Sequence, residues 1–185
     1  MRKLVFATTN QLKLDMARYV LEPLGFEVFG KKMKNLPEIQ ADSITEVAIY
    51  SSQYAHRELK CAVLKNDSGL VIPALNDFPS LYSNYVEKTL GEDGILKLME
   101  GVLDRRAYFL DVLAYTDEEG NTKTFESKSW GTISKNKEGN MGIGYDFIFI
   151  PDGQEHTLAC FTDEEKLPLF SRDAYAKLGQ WLKEK

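Results

Sequence analysis

Apolar residues change their spacing along this chain, and the changes mark out its elements. Leu4 to Ala7 is a short apolar run ending in Thr8-Thr9-Asn10, which predicts a buried strand followed by a turn. Asn10 is a good helix cap, and Leu14, Ala17, Leu21 and Leu24 recur at helical spacing, with Pro23 and Gly25 near the stop. Phe26-Glu27-Val28-Phe29 alternates like a strand, so the chain opens as an α/β protein does. Leu36-Pro37-Glu38-Ile39-Gln40 is predicted to be an extended loop, because Pro37 biases Leu36 away from helix. Ser43-Ile44-Thr45-Glu46 has the capping-box pattern and predicts a helix to about Leu59. Cys61 to Leu64 predicts a second buried strand, ending at Asn66-Asp67-Ser68-Gly69 before Leu70-Val71-Ile72 resumes the apolar run.

Phe78-Pro79-Ser80 is read as a turn, with short helices starting at Ser83 and Glu92. From Arg105 the period changes. Ala107 to Tyr115 and Lys123 to Ser134 predict two long strands joined by Asp117-Glu118-Glu119-Gly120-Asn121, with a bulge expected at Gly131. Phe147 to Ile150 predicts a strand closed by Pro151, and Asp173 to Glu184 a last amphipathic helix. No repeat, low-complexity tract or linker interrupts residues 1–185, so the expectation is a single mixed α/β domain.

Composition narrows the chemistry. The chain has 185 residues, 43% hydrophobic and 28% charged, enough for a real core and unlike a disordered or collagen-like chain. Its net charge of -5 lacks the electrostatic footprint of a general nucleic-acid binder, so an anionic ligand must meet local cations or a metal. Two cysteines (Cys61, Cys160) and two histidines (His56, His156) make neither a disulfide framework nor a zinc site of the usual Cys/His kind. A metal, if used, is expected to be a hard cation held by carboxylates. No apolar stretch is long enough for a signal-peptide core or a membrane span, and a soluble cytoplasmic protein is expected.

Three segments concentrate polar residues where a buried strand is predicted to end. Thr8-Thr9-Asn10-Gln11-Leu12-Lys13 opens a helix, whose free N–H groups and dipole favour a phosphate, but the same pattern serves as a plain cap with a solvated lysine. Asp67 stands in an apolar stretch, where a carboxylate needs a partner or a cation; with Glu38 it could hold one Mg²⁺, or with Ser68 it could cap an Asx-type turn. Gly142-Ile143-Gly144-Tyr145-Asp146-Phe147 could bring backbone close to a flat ligand, with the Tyr145 ring to stack on it, or could simply be a tight bend before a core strand. Lys166 and Arg172 follow and, taken alone, read as surface charges.

These segments occur together, in this order, in one family. The chain resembles the inosine triphosphate pyrophosphatases, which act on non-canonical purine nucleoside triphosphates. The resemblance runs nearly end to end, through Thr8-Thr9-Asn10-Gln11-Leu12-Lys13-Leu14, Leu36-Pro37-Glu38-Ile39-Gln40, Asp67-Ser68-Gly69-Leu70, Ala74-Leu75-Asn76, Tyr82-Ser83, Gly94-Ile95-Leu96-Lys97-Leu98, Arg105-Arg106-Ala107, Gly144-Tyr145-Asp146 and Glu165-Lys166. It implies an elongated mixed-sheet α/β fold with two lobes around a nucleotide cleft. It also implies hydrolysis of ITP, dITP and XTP to the monophosphate and pyrophosphate, with Mg²⁺ as cofactor, and a homodimer. By the same resemblance Thr8, Thr9, Asn10, Lys13 and Ser68 hold the triphosphate, and Glu38 and Asp67 bind Mg²⁺. Asp67 accepts the proton of the attacking water, and Ile143, Gly144, Tyr145, Asp146, Lys166, Ser171 and Arg172 frame the base.

The chain departs from the family pattern in several places. Thr9 replaces a glycine, Asn66 an acidic residue and Ser80 the glycine of a Pro-Gly turn, and Phe147 replaces a proline. The family's Ser-His-Arg becomes Phe170-Ser171-Arg172, or Ser171 with Arg172 in the histidine position if a gap is allowed. The phosphate and metal positions are better kept than the base-reading ones, so altered base selectivity is expected. A degenerate homologue that binds nucleotide or protein without turnover is the alternative.

Overall fold

The computed structural model describes every residue except Met1, Asn35 and Glu38. It is a mixed α/β protein. Strands β1 (Arg2–Phe6) and β2 (Phe26–Gly30) lie parallel in the register Leu4 to Val28, joined through helix α1 (Gln11–Leu21). Helix α2 (Ile44–Leu59) leads to β3 (Val63–Ile72), parallel to β1 through Val5–Val63 and Phe6–Leu64. The two-residue strand β4 (Phe78–Pro79) pairs antiparallel with the end of β3. Helices α3 (Ser83–Thr89) and α4 (Gly91–Leu98) precede the long strands β5 (Arg106–Thr116) and β6 (Thr122–Ile133). Strand β7 (Phe149–Pro151), helix α5 (Asp163–Lys166) and helix α6 (Asp173–Lys183) complete the chain. The strand order is β2-β1-β3-β5-β6-β7, with β4 on β3.

Two compact units emerge. The first comprises Met1–Asp67, Asp111–Ser127 and Arg172–Lys185; the second comprises Ser68–Leu110 and Lys128–Ser171. Strands β3, β5 and β6 therefore give one end to each unit. In the first, Phe6, Ala17, Leu21, Ala48, Leu64, Val112, Leu113 and Leu178 are fully buried. Gly179 lets α6 approach the end of α1, since a Cβ there would lie 3.1 Å from Leu21 Cδ2. In the second, Leu70, Ile72, Ile95, Met99, Ile133, Tyr145, Ile148, Phe149 and Leu158 form one apolar cluster.

The structure differs from the sequence-based expectation at three places that bear on the site. Strand β3 runs without interruption through Asn66-Asp67-Ser68-Gly69, so the strand end expected there does not exist, nor does the alternative Asx-type turn. The polar run Lys65-Asn66-Asp67-Ser68 between two buried apolar stretches looks like a break in the sequence. Gly131 makes no bulge against β7, whose register is continuous from Gly131–Pro151 to Ile133–Phe149; a side chain there would strike the Ile150 carbonyl and the Phe149 ring. Phe147 ends a 3₁₀ turn (Gly144–Phe147) instead of opening β7. Among the described residues, no helix is long and apolar enough to cross a membrane.

Candidate active site

In the first unit, polar groups collect where β1 passes into α1. The chain leaves β1 at Ala7, whose N–H donates to the Leu64 carbonyl of β3. Thr8 Oγ1 then accepts from Asn10 N–H, and Asn10 Oδ1 accepts from Lys13 N–H, closing the N-cap of α1. Thr9 and Asn10 are exposed, at the positive end of an eleven-residue helix. The cap expected here is present, with its positive helix end open to solvent, but Lys13 is not the solvated lysine of the plain-cap reading.

Lys13 turns inward from the first turn of α1. Its Nζ reaches the Asn66 carbonyl oxygen on β3 at 3.5 Å, and Tyr175 Oη on α6 lies 3.5 Å from the Lys13 carbonyl. Burial pushes the Lys13 ammonium below the usual lysine range, and the nearby carboxylates of Asp111 and Asp67 oppose that fall. Asp67 is beside it on β3. One carboxylate oxygen of Asp67 is 3.9 Å from Lys65 Nζ; the other, Oδ2, is buried and has no hydrogen-bond partner among the described residues. The Asn66 amide oxygen is buried and unpartnered in the same way. A buried carboxylate oxygen without a donor is costly unless a cation or ligand satisfies it.

Asp111 on β5 is the residue that sequence reasoning missed. Asn66 Nδ2 donates to Asp111 Oδ1 at 3.2 Å, and Asp111 is the leading electrostatic partner of Lys13. Burial pushes the Asp111 carboxyl above its usual range, with Lys13 and the Asn66 amide pulling it back. Asn66 stands where the family pattern carries an acid, and here the carboxylate comes from the neighbouring strand. The signal was available: Asp111 interrupts Tyr108-Phe109-Leu110 and Val112-Leu113-Ala114, just as Asp67 interrupts its own apolar stretch.

Mg²⁺ demands oxygen ligands and keeps several waters. Asp67 Oδ2, a buried carboxylate oxygen without a hydrogen-bond partner among the described residues, is a ligand of the kind a hard cation takes. Glu38, the other expected metal ligand, lies outside the described residues.

The second unit holds Ser68, expected at the triphosphate, and all the residues expected at the base except Arg172. Ser68, exposed, follows Asp67 directly. Gly69 lies against the Ser80 carbonyl and Ser83 Oγ, too close for any side chain, and Ser83 Oγ accepts from Leu70 N–H while donating to the Ser80 carbonyl. Lys166 is only 2% exposed and its Nζ pairs with Asp146 Oδ2 at 3.0 Å and Asp163 Oδ1 at 3.6 Å. At Gly142 (φ +108) a Cβ would lie 2.7 Å from that Nζ, so only glycine lets backbone pass there. Gly144 (φ +52) lies equally close to the Glu87 carboxyl. Burial, then the like charges of Glu92 and Asp146, push Glu87 above the usual carboxylate range. Glu87 is the second residue missed; nothing in its surroundings on a short helix distinguishes it in the sequence.

The expected base residues do not share one environment. Ile143 is 74% exposed, whereas Tyr145 is 4% exposed and donates its hydroxyl to the Ser83 carbonyl. The ring expected to stack on a flat ligand is thus a core side chain. Ser171 N–H donates to Ser129 Oγ in the second unit, while Arg172, in the first, lies over the Tyr19 ring at 4.5 Å.

Known proteins resemble this chain along its whole length. It is 42% identical over 183 residues to a dITP/XTP pyrophosphatase of Thermococcus kodakarensis, covering 98% of each chain. It is 41% identical over 182 residues to a protein of the same name from Methanopyrus kandleri, covering 98% of this chain and 96% of that one. Among solved structures, a HAM1 protein from Coxiella burnetii superposes with a TM-score of 0.81 at 27% identity, over the full length of both chains. The Staphylococcus aureus Ham1 protein does so at 0.81 and 29%. The sequence profile of the Ham1 family matches residues 4–181, and the chain belongs to the Ham1 family.

Proposed function

We propose that this chain is a nucleoside triphosphate pyrophosphatase that hydrolyses ITP, dITP and XTP to the monophosphate and pyrophosphate. The observation that carries the reading is the buried Asp67 Oδ2, without a hydrogen-bond partner among the described residues, beside Lys13 of the first turn of α1. Its support is the name dITP/XTP pyrophosphatase borne by relatives that match the chain from end to end.

In this reaction water attacks the α-phosphorus; the new P–O bond forms as the bond to the bridging oxygen of pyrophosphate breaks. Asp67 takes the proton of the attacking water and aligns its lone pair. Lys13 and the N-terminus of α1, through Thr8, Thr9 and Asn10, offset the negative charge that accumulates on the leaving pyrophosphate. Ser68 adds a hydroxyl donor one residue beyond the base. Asp111 holds Asn66 and keeps Lys13 charged against its desolvation. Asp67, with Glu38 by the family resemblance, would hold a divalent cation, for which we propose Mg²⁺; when bound it neutralises phosphate charge and lowers the pKa of a ligated water.

Base choice would rest on the Lys166–Asp146 pair, with Ile143, Gly144, Ser171 and Arg172 as flanking groups. Lysine only donates and a carboxylate only accepts. Hypoxanthine and xanthine offer a 6-oxo acceptor next to an N1–H donor, which matches that pair. Adenine offers a 6-amino donor next to a bare N1, which opposes it at both atoms. Guanine shares the oxo and N1–H groups, so the substitutions near Arg172 would show first as weaker rejection of GTP. Homodimerisation and a cytoplasmic setting belong to the same reading; sedimentation of a monomer would remove the first.

The test is pyrophosphate release from ITP, XTP, GTP and ATP with and without Mg²⁺. Metal-dependent release with ITP and XTP preferred supports the proposal. Tight nucleotide binding without release would mark a degenerate, non-catalytic homologue instead.

A further inference from the structure

Three side chains with different chemistry meet in the second unit, among groups the hydrolysis does not use. Glu138 lies in the loop after β6, His156 stands two residues before a 3₁₀ turn (Leu158–Cys160), and Cys160 ends that turn. One ligand atom of each falls within 4.8 Å of the others. Glu138 Oε1 is already 2.7 Å from His156 Nδ1, and Cys160 is a free thiol. No other such trio of His, Cys, Asp or Glu occurs among the described residues.

The carboxylate is held in place independently of His156. Its second oxygen, Oε2, accepts from Thr157 N–H at 3.3 Å, and the Glu138 carbonyl accepts from Thr157 Oγ1 at 2.9 Å. Thr157 is fully buried, and its Oγ1 is 3.8 Å from Cys160 Sγ. The backbones are locked as well: Asn140 and Met141 N–H both donate to the Ala159 carbonyl, at 3.0 and 2.9 Å. Gly139 (φ +85) sits too close to that same carbonyl for a side chain. Two chain segments far apart in sequence are thereby fixed face to face, with the acid on one and the imidazole and thiol on the other.

We propose that Glu138, His156 and Cys160 form a site for a borderline divalent cation, Zn²⁺ foremost, distinct in chemistry from the Asp67 site. One oxygen, one nitrogen and one sulfur ligand suit Zn²⁺ and not Mg²⁺. Ligand atoms around a tetrahedral Zn²⁺ stand about 3.3–3.6 Å apart. The trio, now between 2.7 and 4.8 Å, reaches that spacing by opening the Glu138–His156 contact and drawing in Cys160. His156 is exposed and free to make the first adjustment. Water fills the fourth position. Binding releases the thiol proton and clamps the loop at 134–143, which runs directly into Ile143 and Gly144. Two histidines and two cysteines are too few for a zinc site of the usual kind, and it is the carboxylate on a separate loop that completes the set.

Cobalt is the probe, titrated into the full-length chain with Mg²⁺ in excess to occupy oxygen-only sites. The expected result is one equivalent of Co²⁺ giving a near-ultraviolet thiolate-to-cobalt band, displaced by Zn²⁺. The band should survive Cys61→Ser and Asp67→Asn, vanish in Cys160→Ser, and require at least tenfold more Co²⁺ in His156→Ala. His156 is solvent-exposed, so that variant reports on the site even if Cys160→Ser fails to fold. Absence of the band in the unaltered chain overturns the proposal. So does a band that persists in folded Cys160→Ser, disappears in Cys61→Ser, or ignores His156→Ala. None of these readouts depends on turnover, so the site stands or falls apart from the proposed hydrolysis.

Discussion

The two units treat their buried charges in opposite ways. In the first, Asn66 Oδ1 and Asp67 Oδ2 are buried without hydrogen-bond partners among the described residues, next to a desolvated Lys13. In the second, no buried side-chain oxygen or nitrogen of the described residues is left so, and Lys166 is matched by Asp146 and Asp163. An unsatisfied buried group is a standing cost that a ligand can remove, whereas a satisfied pair has to be met without loss. On the proposed function, the first arrangement gives rate and the second gives choice. Substitutions in the first should lower turnover of every nucleotide alike, and substitutions in the second should change the order of preference.

The largest effect is expected from Asp67→Asn. Loss of a proton acceptor costs about 10²–10⁴-fold, and the amide also weakens the cation site. Pyrophosphate release should fall by at least that factor for ITP, XTP and GTP together, with the circular-dichroism melt unchanged. A variant that keeps turnover, or loses it for one base only, would break the contrast between the units. Asp111→Asn should come next. It removes the carboxylate that holds Lys13 charged, an interaction of the charged hydrogen-bond class worth about 1.5–3 kcal/mol. We expect kcat to drop roughly tenfold to a hundredfold on each substrate, with the ITP/ATP ratio of kcat/KM preserved.

Lys166→Met should act on the ratio instead. Removing a charged donor to the 6-oxo group forfeits about 1.5–3 kcal/mol for oxo purines and relieves the clash with adenine. The ITP/ATP ratio of kcat/KM should therefore fall at least ~10-fold while kcat on ITP changes less. Because the side chain is buried against Asp146, the melting temperature should drop as well. Turnover lost equally on all bases would assign Lys166 to the phosphates and erase the division of labour.

The sequence made the frame of both units legible and hid their wiring. Helix α2 was readable because Ser43 Oγ does cap Glu46 N–H; Glu46 then reaches back to Asp42 N–H, one residue short of the expected capping box. Helix α1 was readable from its spacing and its Asn10 cap, and helix α6 and the long strands β5 and β6 from local spacing alone. What failed depended on partners distant in sequence. The polar run in β3 looks like a turn until Asp111 on β5 is seen beside Asn66. Tyr145 looks like a platform until the Ser83 carbonyl is found under its hydroxyl. Pairings 45 and 62 residues apart leave no periodicity to read.

The smallest effect sharpens the comparison from the stability side. Glu87 lies against Gly144, and burial with the charges of Glu92 and Asp146 raises its pKa against the opposing charge of Lys88. A raised folded-state value means the protonated form favours folding. That contribution is present below the unfolded glutamate pKa and lost as pH rises through the folded one, so at neutral pH the charged Glu87 is a cost. Glu87→Gln should therefore raise the melting temperature at pH 7–8 and make no difference near pH 4, where the native side chain is itself largely neutral. Glu87 is partly open to solvent, so screening keeps the gain under about 1 kcal/mol. A larger gain at pH 4 than at pH 7 would reverse the sign of the argument. A gain accompanied by lower turnover on ITP but not on ATP would show that this carboxylate, too, belongs to base selection.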